Sequence, residues 1–193
     1  MRILAALLLF LLAAPAAAQT GEDISGFASG FFHPLFGWDH VAAMVAVGLW
    51  GAFLGRPAIY LLPIVFPLIM ALGGALGIAG IPVPGIEAGI SASAIVLGLC
   101  VMMAARPPLW VAAILVGAFA IFHGHAHGTK LPEAANPFGF AAGFVIATGL
   151  LHLTGIGIGF GTITRFAMGA VAVRAGGALI ALAGIVFLAE IGG

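Results

Sequence analysis

Two groups of histidines are the residues of this chain whose types and spacing could do chemistry. Five of the six histidines fall in two short segments, 33–40 and 123–127, while apolar residues make up 63% of the 193 residues. Ionisable side chains at mid-depth in a bilayer cost about 2.5 to 3.5 kcal/mol each on insertion scales, so those that are kept there usually have a function. Imidazole nitrogens bind nickel, cobalt, zinc and copper. The two groups therefore predict a transition-metal site in a membrane protein.

The first group sits where a helix is expected to break. His33 and His40 are seven residues apart, which would place them on one helical face, but Pro34 and Gly37 lie between them. Because proline and glycine disrupt a continuous helix, we expect an irregular backbone here, which membrane proteins tolerate where it lines a cavity. Asp39 can act either as an oxygen ligand or as the acceptor that fixes the tautomer of His40.

The second group has helical spacing. His123 and His127 are four residues apart, so both imidazoles can face one metal ion, whereas His125 points roughly the other way. For His125, and for a sixth histidine in another apolar stretch, a helix-to-helix hydrogen bond is the alternative to a ligand. Glu87, at the outer end of the third apolar run, is either part of an acidic vestibule or a solvated charge. The candidate metal-binding residues are His33, Asp39, His40, His123 and His127, with His125, His152 and Glu87 as further candidates.

Composition limits the class of protein and the class of ligand. Charged residues make up 6% of the chain and the mean hydropathy is +1.28, which excludes an ordinary soluble domain and predicts an all-α membrane protein. With zero formal net charge and no basic run, nothing suggests a nucleic acid partner. Cys100 is the only cysteine, so neither a disulfide nor a thiolate site can form within one chain, and nitrogen and oxygen must hold any metal. A ligand set of this kind favours nickel or cobalt over copper(I).

The N-terminus has the zones of a secretory signal peptide. Arg2 precedes an apolar run over 3–12, and Ala16-Ala17-Ala18 end the segment. We expect cleavage after Ala18, with an uncleaved first helix as the alternative. Residues 19–193 are then a single transmembrane domain.

Six apolar runs after the signal peptide are long enough to cross a bilayer. Starting outside the cytoplasm, the loops that carry arginine fall on one side, and the carboxylates fall on the other with Lys130 as the exception. Because positive charge stays cytoplasmic, both histidine groups are expected at the outer face. The runs are 38–54, 58–80, 87–105, 108–127, 137–157 and 173–191, with a break expected at the glycine-rich stretch 155–161; the arginines are Arg56, Arg106, Arg165 and Arg174, and the carboxylates are Glu22, Asp23, Glu87, Glu133 and Glu190.

The string His-Pro-x-x-Gly-x-Asp-His over 33–40, followed by Met44, Val47, Gly48 and Leu49, resembles the signature of the HupE/UreJ family of nickel and cobalt permeases. Phe122 to Gly128 and the segment with Ala147, Thr148, Leu151 and His152 follow in the order that the family shows. The resemblance covers nearly the whole mature chain and implies a six-helix permease with His33, Asp39, His40, His123 and His127 handling the metal. Two positions depart from the family's pattern: His125 replaces an aromatic residue, and Lys130 replaces a glutamate whose role Glu133 could take over.

The resemblance implies a secondary permease that imports nickel, or cobalt, across the bacterial inner membrane, with its mature N-terminus in the periplasm. No nucleotide-binding motif is present, and an inside-negative potential favours cation entry by about 2.3 kcal/mol per charge per 100 mV. We expect no enzymatic activity and no cofactor. The expected partners are the lipid bilayer and the divalent metal, and the sequence does not decide whether the protein forms a homo-oligomer. Three alternatives remain: a metal exporter, an intramembrane metal-dependent hydrolase and a bis-histidine haem protein.

Overall fold

A computed structural model describes residues 26–129 and 137–191, and these residues fold into seven α-helices. The signal peptide predicted for residues 1–18 lies outside the described residues, as do Glu22, Asp23, Lys130 and Glu133. The helices are α1 (Gly26–Phe36), α2 (Trp38–Leu54), α3 (Ala58–Ile78), α4 (Ile86–Met102), α5 (Leu109–Gly128), α6 (Pro137–Arg165) and α7 (Gly169–Ile191).

The described helices confirm an all-helical membrane protein but leave six spans a prediction. Four helices, α3, α5, α6 and α7, are long and apolar enough to cross a membrane, and α1 with α2 make a fifth span if the bent pair is counted as one. The remaining helix, α4, is apolar but 17 residues long. The predicted runs at 38–54 and 58–80 agree with α2 and α3 to within two residues.

The break predicted at the glycine-rich stretch 155–161 is wrong, because α6 continues to Arg165. A Cβ added at Gly155 would lie 3.0 Å from the Cα of Gly48, so α6 packs backbone to backbone against α2 here and the packing overrides a weak local preference. The last helix begins at Gly169 instead of residue 173. Arg174 lies inside the predicted run and inside this helix, and its Nε donates to the Met102 carbonyl at 2.7 Å.

The bundle has two chemically different ends. Both α2 and α4 begin at the histidine end, where α3 and α5 finish, and this end carries Glu87 and Glu190. Arg56, Arg106 and Arg165 lie at the arginine end, where α2 and α4 finish. The predicted separation of the arginines from the carboxylates is thus confirmed for the described residues.

Helix α5, which carries the second histidine group, is fixed by close packing against α3. A Cβ added at Gly124 would lie 2.8 Å from the Met70 carbonyl carbon and 2.9 Å from the Gly74 nitrogen. A Cβ at Gly128 would meet the backbone of Gly74 equally closely. Such backbone contact requires small residues, so the glycines of the second motif set the position of its histidines.

Candidate metal site

The first histidine group is built on a helix break. Helices α1 and α2 meet at an angle of 79°, and Gly37 between them is extended, with φ −86° and ψ 102°. His33 lies in the last turn of α1, and Asp39 and His40 lie in the first turn of α2. The expected irregular backbone is confirmed, and it turns the side chains of two helices towards one place.

Four histidines from three helices meet at this end of the bundle. The ring centroid of His127 lies 4.8 Å from that of His33 and 4.6 Å from that of His40, and His40 lies 4.7 Å from His123. His123 is fully buried, His40 and His127 are nearly so, and His33 is exposed. We call these four residues the histidine cluster. The predicted proximity of the two groups is confirmed, whereas metal binding by them stays a prediction.

A chain of hydrogen bonds sets the tautomer of His40. Its Nδ1 lies 2.8 Å from Asp39 Oδ1, and its Nε2 lies 2.6 Å from His127 Nε2. An ionised carboxylate only accepts hydrogen bonds, so we assign the proton to His40 Nδ1 and the lone pair to His40 Nε2. His127 then donates from Nε2 to His40. Asp39 thus prepares His40 Nε2 as a nitrogen ligand, one of its two roles expected from the sequence.

Ser93 plays the corresponding part for His123, and sequence reasoning missed it. The Ser93 hydroxyl donates to the Ile90 carbonyl at 2.5 Å, so it accepts from His123 Nε2 at 2.9 Å. The proton on Nε2 leaves the lone pair on His123 Nδ1, a buried atom with no hydrogen-bond partner among the described residues. The available signal was a serine inside an apolar helix, but only the packing of α4 against α5 connects it to a histidine.

Aromatic side chains surround the cluster. The Phe144 ring lies 4.3 Å from that of His127, and Phe140 lies 5.9 Å from His33. On the inner side, the Phe66 ring lies 5.5 Å from His123. Apolar walls of this kind exclude water, which strengthens the interaction of a cation with the donors beside it.

A cleft of about 480 Å³ opens beside the cluster and carries three carboxylates. Asp39 lies in its wall with His33, His40 and His127, and Glu87 and Glu190 come from the ends of α4 and α7. Glu87 is exposed, as a vestibule residue must be. Glu190 is a carboxylate that the sequence placed on the correct side but did not join to the site. We call this feature the acidic cleft.

The two remaining histidines lie apart from the cluster. His125 lies on the opposite side of α5, where its Nε2 donates a hydrogen bond to the Ile81 carbonyl at 2.8 Å. This bond joins the helix to the loop that follows α3. His152 is fully buried in the middle of α6, with its ring 5.2 Å from that of Phe66. The structure therefore does not bring His125 to the cluster, and it places His152 deeper in the bundle.

The side chains of the histidine cluster lie close to the positions that metal coordination requires, but they do not occupy those positions. In the described parts of the chain, no three His, Cys, Asp or Glu side chains already stand as a set that could hold a metal ion. Two nitrogens bound to one ion at about 2.0 to 2.1 Å each are about 2.9 to 3.4 Å apart for octahedral to tetrahedral angles. The 2.6 Å between His40 Nε2 and His127 Nε2 is shorter than this. A small separation of the two rings, with a change in the tautomer of His127, would admit an ion.

Comparison with known proteins agrees with the resemblance seen in the motifs. Protein HupE of Rhizobium leguminosarum bv. viciae is 44% identical over 172 residues, which cover 89% of this chain and 88% of that protein. No solved structure matches the chain. The sequence profile described as HupE / UreJ protein matches residues 6–187, a stretch that includes the histidine cluster, Ser93 and, of the carboxylates in the acidic cleft, Asp39 and Glu87. This chain belongs to the HupE/UreJ family.

Proposed function

We propose that this protein is a secondary permease that imports a divalent transition metal, nickel or cobalt, across the bacterial inner membrane for the maturation of metalloenzymes. The observation that carries the proposal is the histidine cluster, which lies inside an apolar helical bundle and borders the acidic cleft. Membership of the HupE/UreJ family, which the sequence resemblance associates with nickel and cobalt permeases, supports the same function.

The acidic cleft collects the cation. Glu87, Glu190 and Asp39 bring three carboxylates to one opening, and a cleft of one charge sign raises the local concentration of the opposite ion. Lys130 stands where the family tends to carry a glutamate. In this proposal Glu190 supplies the negative charge that Lys130 does not.

The histidine cluster then replaces water around the ion. His40 Nε2 and His123 Nδ1 carry the lone pairs, and neutral imidazoles are the form that binds a metal. Nickel and cobalt accept imidazole and carboxylate ligands, whereas magnesium prefers oxygen ligands and keeps its water, so the cluster favours the transition metals. The membrane potential supplies the driving force for inward movement.

The test is uptake of radioactive nickel by cells that lack their own nickel importers and express this chain. We expect uptake that excess cobalt blocks and excess magnesium does not, and we expect His40→Ala to reduce it to background. The matched control is His125→Gln, which removes a histidine of the same end of the bundle but retains a donor for the Ile81 carbonyl. This variant should transport like the wild type.

The direction of transport is tested separately, because the same side chains would bind the metal in an importer and in an exporter. Cells preloaded with nickel should lose it no faster when they express the protein than when they do not. Faster loss together with absent uptake would identify an exporter. Absent uptake and absent loss, in cells shown to insert the protein, would refute the permease proposal.

A further inference from the structure

A second polar group lies deeper in the bundle than the histidine cluster. Thr148 and His152 are one turn apart on α6, and both are fully buried. Thr148 Oγ1, His152 Nδ1 and His152 Nε2 have no hydrogen-bond partner among the described residues. A buried polar group without a partner costs about 1 to 3 kcal/mol, so three such atoms on one face point to a bound species.

This pair lies at the middle of its helix. His152 is fifteen residues from Pro137 in a helix that ends at Arg165, so it is about 22 Å along the helix axis from the first residue. A bilayer core is about 30 Å thick, which places the pair near its centre. Polar side chains at this depth that face the bundle interior mark ion pathways in membrane proteins.

The pair also belongs to a row of neighbouring side chains that winds along α6 from one end of the bundle to the other. Positions four residues apart are neighbours on the helix surface, although each step turns about 40° around the axis, and Phe140 and Phe144, the two members of this row before Thr148, contact the histidine cluster. One turn beyond His152, Ile156 lines a cavity of about 330 Å³ at the arginine end, which Arg56 also lines. Thr148 and His152 therefore stand between the acidic cleft and a cavity on the opposite side.

The pair is also close to the cluster. The Phe66 ring lies 5.5 Å from the ring of His123 and 5.2 Å from that of His152, so one aromatic side chain contacts both imidazoles. Within the described part of the chain, His123 Nδ1, which carries the lone pair, has no hydrogen-bond partner either. Among the described residues, His152 is therefore the histidine outside the cluster that shares an aromatic neighbour with His123.

We propose that Thr148 and His152 form an inner binding site for the transported divalent transition metal, distinct from the histidine cluster and joined to it through the contacts of Phe66 with His123 and His152. The imidazole supplies a nitrogen ligand and the threonine hydroxyl an oxygen ligand, while water completes the coordination. The inference rests on the proposed permease function and divides the pathway into two steps, from the cluster to the inner site and from there to the cavity at the arginine end.

The experiment counts the nickel(II) ions bound to the purified full-length chain in lipid nanodiscs by equilibrium dialysis at saturating nickel. The wild type should bind two ions, whereas Thr148→Val and His152→Leu should each bind one and should lower nickel uptake by cells at least tenfold. Thr154→Val is the matched control on the same helix, since Thr154 is exposed and its hydroxyl donates to the Leu150 carbonyl. This control should retain both ions and normal uptake.

Thr148→Val is nearly isosteric, so it decides the matter if His152→Leu does not accumulate in the membrane. A stoichiometry that is the same in the wild type and in Thr148→Val overturns the inner site, because the buried groups then hold at most a water molecule. If that result accompanies normal wild-type uptake, the permease proposal stands without it. If the wild type neither binds nickel nor takes it up, the permease proposal and the inner site fail together.

Discussion

The packing of α5 against α3 gives the sharpest prediction, which concerns Gly124→Ala. The added Cβ would lie 2.8 Å from the Met70 carbonyl carbon and 2.9 Å from the Gly74 nitrogen. Carbon atoms in good contact are about 3.5 to 4.0 Å apart, so α5 must move away from α3 by roughly 1 Å. Overpacking of this kind costs about 1 to 3 kcal/mol. Because backbone atoms are in the way, no side-chain rotation can relieve it.

This displacement acts on the site directly, since His123 and His127 lie on the same helix as Gly124. The Nε2 atoms of His40 and His127 are 2.6 Å apart, and a shift of roughly 1 Å in one helix breaks that arrangement. We expect the initial rate of nickel uptake, normalised to the amount of protein in the membrane, to fall at least tenfold. The melting temperature in detergent should fall as well.

The matched control for this prediction is Gly149→Ala on α6, where an added Cβ meets nothing within 4 Å. Alanine is a better helix former than glycine by about 1 kcal/mol, so this variant should be as stable as the wild type or more stable, with unchanged uptake. Wild-type uptake and melting in Gly124→Ala would refute the close packing of α5 on α3 and, with it, the account of how the second histidine group is positioned.

Three further predictions concern other parts of the site and the bundle. In Gly37→Ala, the new Cβ lies 3.1 Å from both Asp39 Oδ1 and His40 Nδ1, so nickel uptake should fall several-fold. The melting temperature should change by only a few degrees, because alanine also adopts the extended backbone of Gly37. Glu190→Gln should raise the nickel concentration for half-maximal uptake several-fold, and the effect should be smaller at high ionic strength. Glu190→Asp, which keeps the charge, should return this concentration to the wild-type value. An effect that does not depend on salt would contradict the proposal that the acidic cleft attracts the cation by its charge. Trp50→Phe removes the donor that bonds the Ala105 carbonyl at 2.8 Å, so thermal unfolding in detergent should report a loss of about 1 to 3 kcal/mol, with an unchanged uptake rate below the melting temperature.

Most of the helices and the outline of the site could be predicted from local patterns. Apolar runs bounded by proline and glycine define helices because the bilayer requires every backbone polar group to be satisfied within the segment. The i, i+4 spacing of His123 and His127, and the proline and glycine between His33 and His40, are also local properties. They correctly predicted two groups that face one place.

The features that sequence reasoning missed depend on contacts between distant segments. Ser93 accepts from His123, thirty residues further along the chain, and nothing in either segment specifies that pairing. Glu190 joins the acidic cleft because α7 packs against α4, which the charge pattern did not reveal. The glycines at 155–161 predict the end of a helix, but α6 continues through them because Gly155 and Gly159 pack against α2.

The way the helices end at the acidic cleft has an electrostatic consequence. The first turn of a helix carries about half a positive charge and the last turn about half a negative charge, so α2 and α4, which begin here, would repel an arriving cation. These are the two helices that carry a carboxylate in the first turn, Asp39 in α2 and Glu87 in α4. A full negative charge outweighs half a positive charge, so the two carboxylates make the local electrostatic potential negative where the ion must enter. The carbonyl end of α5, beside His127, adds to this attraction. At this end of the bundle, the backbone and the acidic side chains together present a negative field to the metal before any ligand bond is made.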